Sequence, residues 1–159
     1  MKIVNINYRG YVPNVDKVLT LEHLAKLQPP QMLKIKNEKG TLVVFKSEKC
    51  RLMGCKEPIT STKNLFPFPI VLTKMQSATV SMDVGTSLNL YKIAKSMGSR
   101  KCIYEPELFP ALRITKELLP LCVNVFASGK VIILGIKHLN IVNVCKHVRG
   151  ILNEHNQSD

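Results

Sequence analysis

No hydrophobic run in this chain approaches the roughly 20 residues a bilayer-spanning helix needs; the strongest, Val131 to Ile136, is far shorter. The N-terminus is equally poor in apolar length. Polar residues and Arg9 interrupt Met1 to Asn7 before a signal-peptide core can form, so an intracellular protein is expected. CxxC pairs are lacking, and the five cysteines (Cys50, Cys55, Cys102, Cys122, Cys145) are odd in number, which argues against a disulfide framework and a zinc ribbon. His138, Cys145 and His147 lie near one another but lack a fourth ligand and the usual spacing, so they read as helix-surface histidines and a packed thiol. Phosphate-binding glycine loops, HExxH and nucleophile elbows are missing too. An enzyme is not expected, nor any cofactor or metal. Acidic residues are scarce: 11 Asp and Glu stand against 23 Lys and Arg in 159 residues, a net charge of +12.

What is present is enough to fold. At 45% hydrophobic and 21% charged, the chain has the material of a core and is no disordered basic tail. The basic residues are spread through both halves, 13 in residues 1–75 and 10 in 76–159. That makes the charge a property of a folded surface, and an anionic partner such as nucleic acid is implied.

Sliding the chain along itself reveals an internal repeat. Leu19 to Lys26 lies over Leu88 to Lys95 at an offset of 69, with Thr20 and Asn89 as N-caps and apolar residues at helical spacing. Phe45-Lys46-Ser47-Glu48-Lys49 lies over Phe126-Ala127-Ser128-Gly129-Lys130 at 81, carrying Val44, Gly54, Lys56 and Pro29 over Val125, Gly135, Lys137 and Pro110. Each copy reads as helix, strand, tight turn, strand, and copy two carries about twelve additional residues around Ser96 to Glu107. Copy two closes with a long amphipathic helix from His138 to His155, striped by Ile141, Val144, Cys145, Val148, Ile151 and Leu152. Copy one has only Glu57 to Leu65 before Pro67 and Pro69, a stub of a final helix, followed by an extended connector from Phe66 to Gln76. The repeats are expected at 1–75 and 76–159.

In the second hairpin nearly every position is apolar, so both faces look covered. Val123, Val125, Val131 and Ile133 suit a helix-covered face. Phe126, Ile132 and Leu134 need a second sheet or a partner.

Tyr104-Glu105-Pro106-Glu107-Leu108-Phe109-Pro110, followed by Val125 to Val131 and Leu134-Gly135-Ile136-Lys137, resembles the second repeat of the TATA-binding protein family. Residues 66–83 resemble its passage between repeats, and residues 2–56 its first repeat. The resemblance implies an α+β saddle: two pseudo-symmetric repeats forming one curved antiparallel sheet, with helices on the convex face and the DNA minor groove against the concave face. It implies a divergent transcription-initiation factor that binds and bends double-stranded promoter DNA and recruits a IIB-like factor among other initiation proteins. Its place of action is then the nucleus or another intracellular site of transcription, such as a viral factory.

Carried onto this sequence, Phe109 and Phe126 are a wedge pair that unstacks a base step, and Phe45 is the matching wedge of repeat one. The partner of Phe45 falls 17 residues earlier at Gln28, which is not aromatic. Lys49, Lys56, Lys130 and Lys137 match phosphate-contacting positions; Ile132 and Leu134 match groove-floor positions whose repeat-one equivalents are Arg51 and Met53. Ser77 and Lys2 take the places of two central asparagines, and Glu105 with Glu107 match the acidic docking site for a IIB-like protein. Without the resemblance, the phenylalanines read as core, the lysines as a solvated rim and the glutamates as surface charges. The departures at Gln28, Ser77 and Lys2 leave an alternative: a saddle-fold interaction module of a transcription complex with little or no TATA-specific DNA binding.

Overall fold

The structure, a computed structural model, describes residues 1–15, 32–137 and 140–157. Its chain divides into two compact units, Ile3–Ala78 and Thr79–Asp159, the latter joined by Met1–Lys2. Both are built from antiparallel strands.

In the first unit the strands are β1 (Lys2–Tyr11), β2 (Met32–Asn37), β3 (Gly40–Phe45), β4 (Lys49–Cys55) and the first part of β5 (Val71–Asp83), ordered β2-β3-β4-β1-β5. Alternation decides which face is core, although on β3 Val43 is buried on the opposite face as well. Leu33 pairs with Val44, Val44 with Cys50 and Leu42 with Leu52, and all five are buried. Across a bulge, β1 adds Ile6 and Tyr8 to the same face. Full burial of each aliphatic side chain contributes roughly 1.5–3 kcal/mol, so this face holds the unit together.

The residues after β4 do not form the expected helical stub. Glu57–Leu65 is irregular among the described residues: Pro58 and the run Thr60-Ser61-Thr62 suit turns better than a helix, and Asn64 takes a left-handed φ of 57°. The segment is tied down instead, by Ile59 N–H to Tyr8 Oη at 3.0 Å and Asn37 Nδ2 to the Leu65 carbonyl at 2.9 Å. Phe66, Phe68 and Ile70 then bury at every second residue, with Pro67 and Pro69 between them. An apolar strap, bent at Phe66–Phe68, occupies these positions. The rest of the expected connector, from Val71 to Gln76, belongs to strand β5.

The second unit takes the rest of β5, then α1 (Leu90–Met97), β6 (Cys102–Ile103), β7 (Ala111–Ile114), β8 (Cys122–Phe126), β9 (Lys130–Ile136) and α2 (Ile141–Gln157), in sheet order β5-β9-β8-β7-β6. Asn89 caps α1, accepting the Lys92 N–H at 3.0 Å, and Gly98 ends it at φ 81°. Thr20, the cap expected in the first repeat, lies outside the described residues, as does His138. Leu90, Ile93 and Met97 of α1 and Ile141, Cys145, Val148 and Leu152 of α2 are buried at helical spacing, and α1 lies against both α2 and β7. Ser96 Oγ meets His155 Nδ1 at 2.8 Å between the helices. Val123, Val125, Val131 and Ile133 are fully buried, whereas Phe126, Ile132 and Leu134 are only half-buried. The second hairpin thus has one covered and one open face; its sequence predicts cover on both, and among the described residues no second sheet supplies it.

The pairing register corrects the repeat alignment. The hairpins match at 81, since Val43 pairs with Arg51 as Asn124 does with Ile132. One strand earlier the offset is 79: Phe45 pairs with Met32, but Phe126 pairs with Ala111. From Ala111 to Phe126 the chain is two residues longer than from Met32 to Phe45, and the strand before the turn shifts accordingly. The remaining matches at 81, Pro29 over Pro110 and Gln28 over Phe109, lie upstream of the paired residues. Both Gln28 and Pro29 lie outside the described residues. Among those residues no helix is long and apolar enough to cross a membrane.

Candidate nucleic-acid interface

The face of each unit opposite its core is open, and most of the sequence-selected residues fall there. In the second unit, β9 sends Lys130, Ile132 and Leu134 to the open face and Val131 and Ile133 to the core. Phe126 closes β8 on the same open side. Phe109 reaches it from the loop before β7, where its N–H bonds the Glu105 carbonyl at 2.9 Å. Ala111 stands opposite Phe126 and presents only a methyl group, which leaves room for a second ring. The two phenyl rings meet edge to face at 6.3 Å and 65°, the geometry aromatic quadrupoles favour. Phe109 nevertheless remains 38% exposed. An aromatic pair kept partly in water at a sheet's end is available for contact with something outside the chain.

Sequence reasoning missed two neighbours of this pair. Arg113, opposite both Asn124 and Ile103, places its guanidinium 5.8 Å from the centre of the Phe109 ring. Asn124 lies between Arg113 and Ile132 in the ladder, and its buried Oδ1 has no hydrogen-bond partner. The signal was their alternation with buried Leu112, Ile114, Val123 and Val125, readable once the register is known.

The first unit's open face differs in chemistry. Lys49, Arg51 and Met53 alternate on β4 with the buried Cys50 and Leu52. Lys49 and Arg51 are exposed, Met53 and Phe45 half-buried. Arg9, also missed, stands directly opposite Arg51, and Tyr11 opposite Lys49. Burial pushes the Cys50 thiol up to about 11, so it is neutral beneath this charged face. Half-buried Ser77 on β5 accepts a hydrogen bond from Asn7 Nδ2 at 3.3 Å, while Lys2 is exposed at the start of β1. Asn7 is the residue that β1 brings beside Ser77.

The lysines at the strand ends are placed by a shared device. Gly54 and Gly135 adopt φ of 80° and 83°, a conformation that disfavours any side chain, and nothing lies where a Cβ would sit. The inward alternation slips there, so Leu52 and Cys55, like Ile133 and Ile136, are both buried. Lys56 and Lys137 follow and are exposed, as is Lys130. Glu105 and Glu107 are exposed in the loop that carries Phe109. Among the described residues no three His, Cys, Asp or Glu side chains gather into a metal-binding group.

Proteins of one family are similar to this chain. The sequence model of the family described as "Transcription factor TFIID (or TATA-binding protein, TBP)" matches residues 72–155. The chain is 30% identical to the TATA-box-binding protein of Archaeoglobus fulgidus over 126 residues, 72% of this chain and 69% of the relative. It is 33% identical to TATA-box-binding protein 3 of Methanosarcina acetivorans over 121 residues, 67% and 65% of the two chains. Among solved structures, Methanococcus jannaschii TBP superposes with a TM-score of 0.70 at 26% identity, covering 96% of this chain and 98% of that one.

Proposed function

Because this chain belongs to the TATA-binding protein family, we propose that it is a transcription-initiation factor that binds promoter DNA in the minor groove, bends it, and recruits a IIB-like protein. The observation that carries the reading is the Phe109–Phe126 pair, edge to face at 6.3 Å and partly exposed on the open face of the second unit.

Apolar wedges entering a base step cost a few kcal/mol of stacking and are repaid by the surface a bent duplex wraps, a mechanism for which the TATA-binding protein is itself the type example. Phe109 and Phe126 supply the wedge, Ile132 and Leu134 an apolar floor behind it, and Lys130 and Lys137 cations for the flanking phosphates. Charge of +12 adds long-range attraction to a polyanion. In the first unit Phe45 is the wedge, with Lys49 and Lys56 toward phosphates; Arg51 and Met53 stand where the second unit has apolar residues. Stacking loss is then recovered chiefly through the second unit.

Fluorescence energy transfer between the ends of a labelled A·T-rich duplex tests this. Binding should shorten the end-to-end distance, Phe109→Ala should abolish most of that change, and Phe45→Ala should remove less. Equal losses from the two variants would refute the unequal contribution, and no binding at low salt would favour the interaction-module alternative.

A further inference from the structure

The fold leaves one polar group on the second unit's open face without a partner. Asn124 stands on that face of β8, two residues before Phe126, and its side chain is half-buried. Its Oδ1 is buried and accepts no hydrogen bond, and among the described residues its amino group has no partner either. The other strand asparagines are held. Asn5 and Asn7 accept the Gly54 N–H at 2.9 and 3.4 Å, and Asn37 accepts the Lys39 N–H at 2.9 Å while donating to the Leu65 carbonyl. The residues opposite Asn124 give it nothing comparable. Ile132 has no polar side-chain atom, and Arg113 keeps its guanidinium 5.8 Å from the centre of the Phe109 ring. An apolar residue would fill this position without leaving a buried acceptor unpaired, a costly state. Nothing within the fold calls for an amide here.

Its surroundings say what would pair with it. β8 is the middle strand of the order β5-β9-β8-β7-β6, so Asn124 sits among the floor residues, beside Ile132, rather than at the phosphate-facing rim. In the minor groove an A·T pair shows only acceptors, whereas a G·C pair adds the guanine N2 amino donor. Against Ile132 or Leu134 that amino group would lose water and gain no partner. A carboxamide oxygen accepts it. The last torsion of an asparagine is broad and roughly two-fold. Because neither end of the Asn124 amide is bonded within the protein, a half-turn exchanges oxygen and amino group without breaking a hydrogen bond. The same side chain can then donate to the acceptors of an A·T pair.

We propose that Asn124 is a specificity-determining residue that admits a G·C pair within the bound site, its Oδ1 accepting the guanine N2 amino group. This rests on the DNA-binding reading above. The test is a set of anisotropy titrations of the full chain against an A·T-rich duplex whose pairs are replaced singly by G·C. Inosine then replaces each guanine, which removes only the N2 amino group. For the unaltered chain, G·C should cost about tenfold in affinity at most positions of the site. At one position, or at a symmetric pair if the chain seats in both orientations, it should cost less than about twofold. Asn124→Leu should extend the tenfold loss to that position, and inosine should recover it there. The melting temperature of this variant should not fall, because a buried unpaired acceptor is gone. Asn124→Asp, whose carboxylate only accepts, should weaken binding to every duplex yet rank G·C above A·T at that position alone. A uniform G·C penalty across the site in the unaltered chain overturns the proposal, as does an Asn124→Leu protein that keeps the tolerant position. If the unaltered chain binds no duplex at low salt, the DNA-binding reading itself falls, and this inference with it.

Discussion

Glu48 and Gly129 occupy the same position of two matching hairpin turns, and each N–H bonds the carbonyl of the phenylalanine before it at 3.0 Å. Both are left-handed, at φ 66° and 87°. For glycine that conformation is free of Cβ crowding; for glutamate it costs roughly 1–2 kcal/mol. The exposed Glu48 side chain has no hydrogen bond or ion pair to offset the cost. Glu48→Gly should therefore stabilise the protein by about 1 kcal/mol and raise its melting temperature by about 2–4 °C in a calorimetric scan. The gain falls short of the full strain because glycine also loosens the unfolded chain. At Gly129 the opposite holds, since an added Cβ would strike the Thr86 carbonyl.

Among elements, the strap at Phe66–Ile70 is the clearest departure from a symmetric repeat. The second unit closes with α2, burying Ile141, Cys145, Val148 and Leu152. The first has no helix over Glu57–Leu65 and instead buries Phe66, Phe68 and Ile70, each at 7% exposure or less. The prolines between them hold φ near −65° and favour extension in the preceding residue, so alternate side chains point inward without a hydrogen-bonded helix. If the strap is structural, Phe68→Ala should cost about 3 kcal/mol in urea unfolding, as loss of a buried phenylalanine does. A cost below 1 kcal/mol would mean that the strap merely rests on the core. The sequence showed the prolines and predicted a broken helix there. It did not show that two aromatics and an isoleucine would bury in its place, because burial depends on the core lying beneath.

At the scale of the whole molecule, a basic protein of net charge +12 exposes Glu105 and Glu107 in the loop leading to Phe109. Surface carboxylates in such a background carry little folding energy but can mark the docking point for a partner with a basic surface. Replacing both by arginine should leave DNA affinity unchanged or slightly raised and should abolish capture of a IIB-like protein on immobilised promoter DNA. Unaffected capture would remove these residues from the partner site.

Local pattern alone determined a good deal of this protein. Helix N-capping at Asn89, the buried stripe of α2, the tight turn at Gly129 and the two faces of the second hairpin each depend on spacing within a few residues, and that is where a sequence is explicit. Family resemblance is legible for the same reason: the run from Tyr104 to Lys137 is short and contiguous. Tertiary structure alone decided which distant residues share a face position. Arg9 meets Arg51, Asn7 meets Ser77, and Arg113 meets Asn124 because of strand register. Alternation specifies which side of a strand a residue takes, but not its partner across the ladder. That choice was made by connection length and backbone irregularity: the bulge beside Gly54 in β4 and the two additional residues between Ala111 and Phe126 relative to Met32 and Phe45, whose effect appears only when the strands pair.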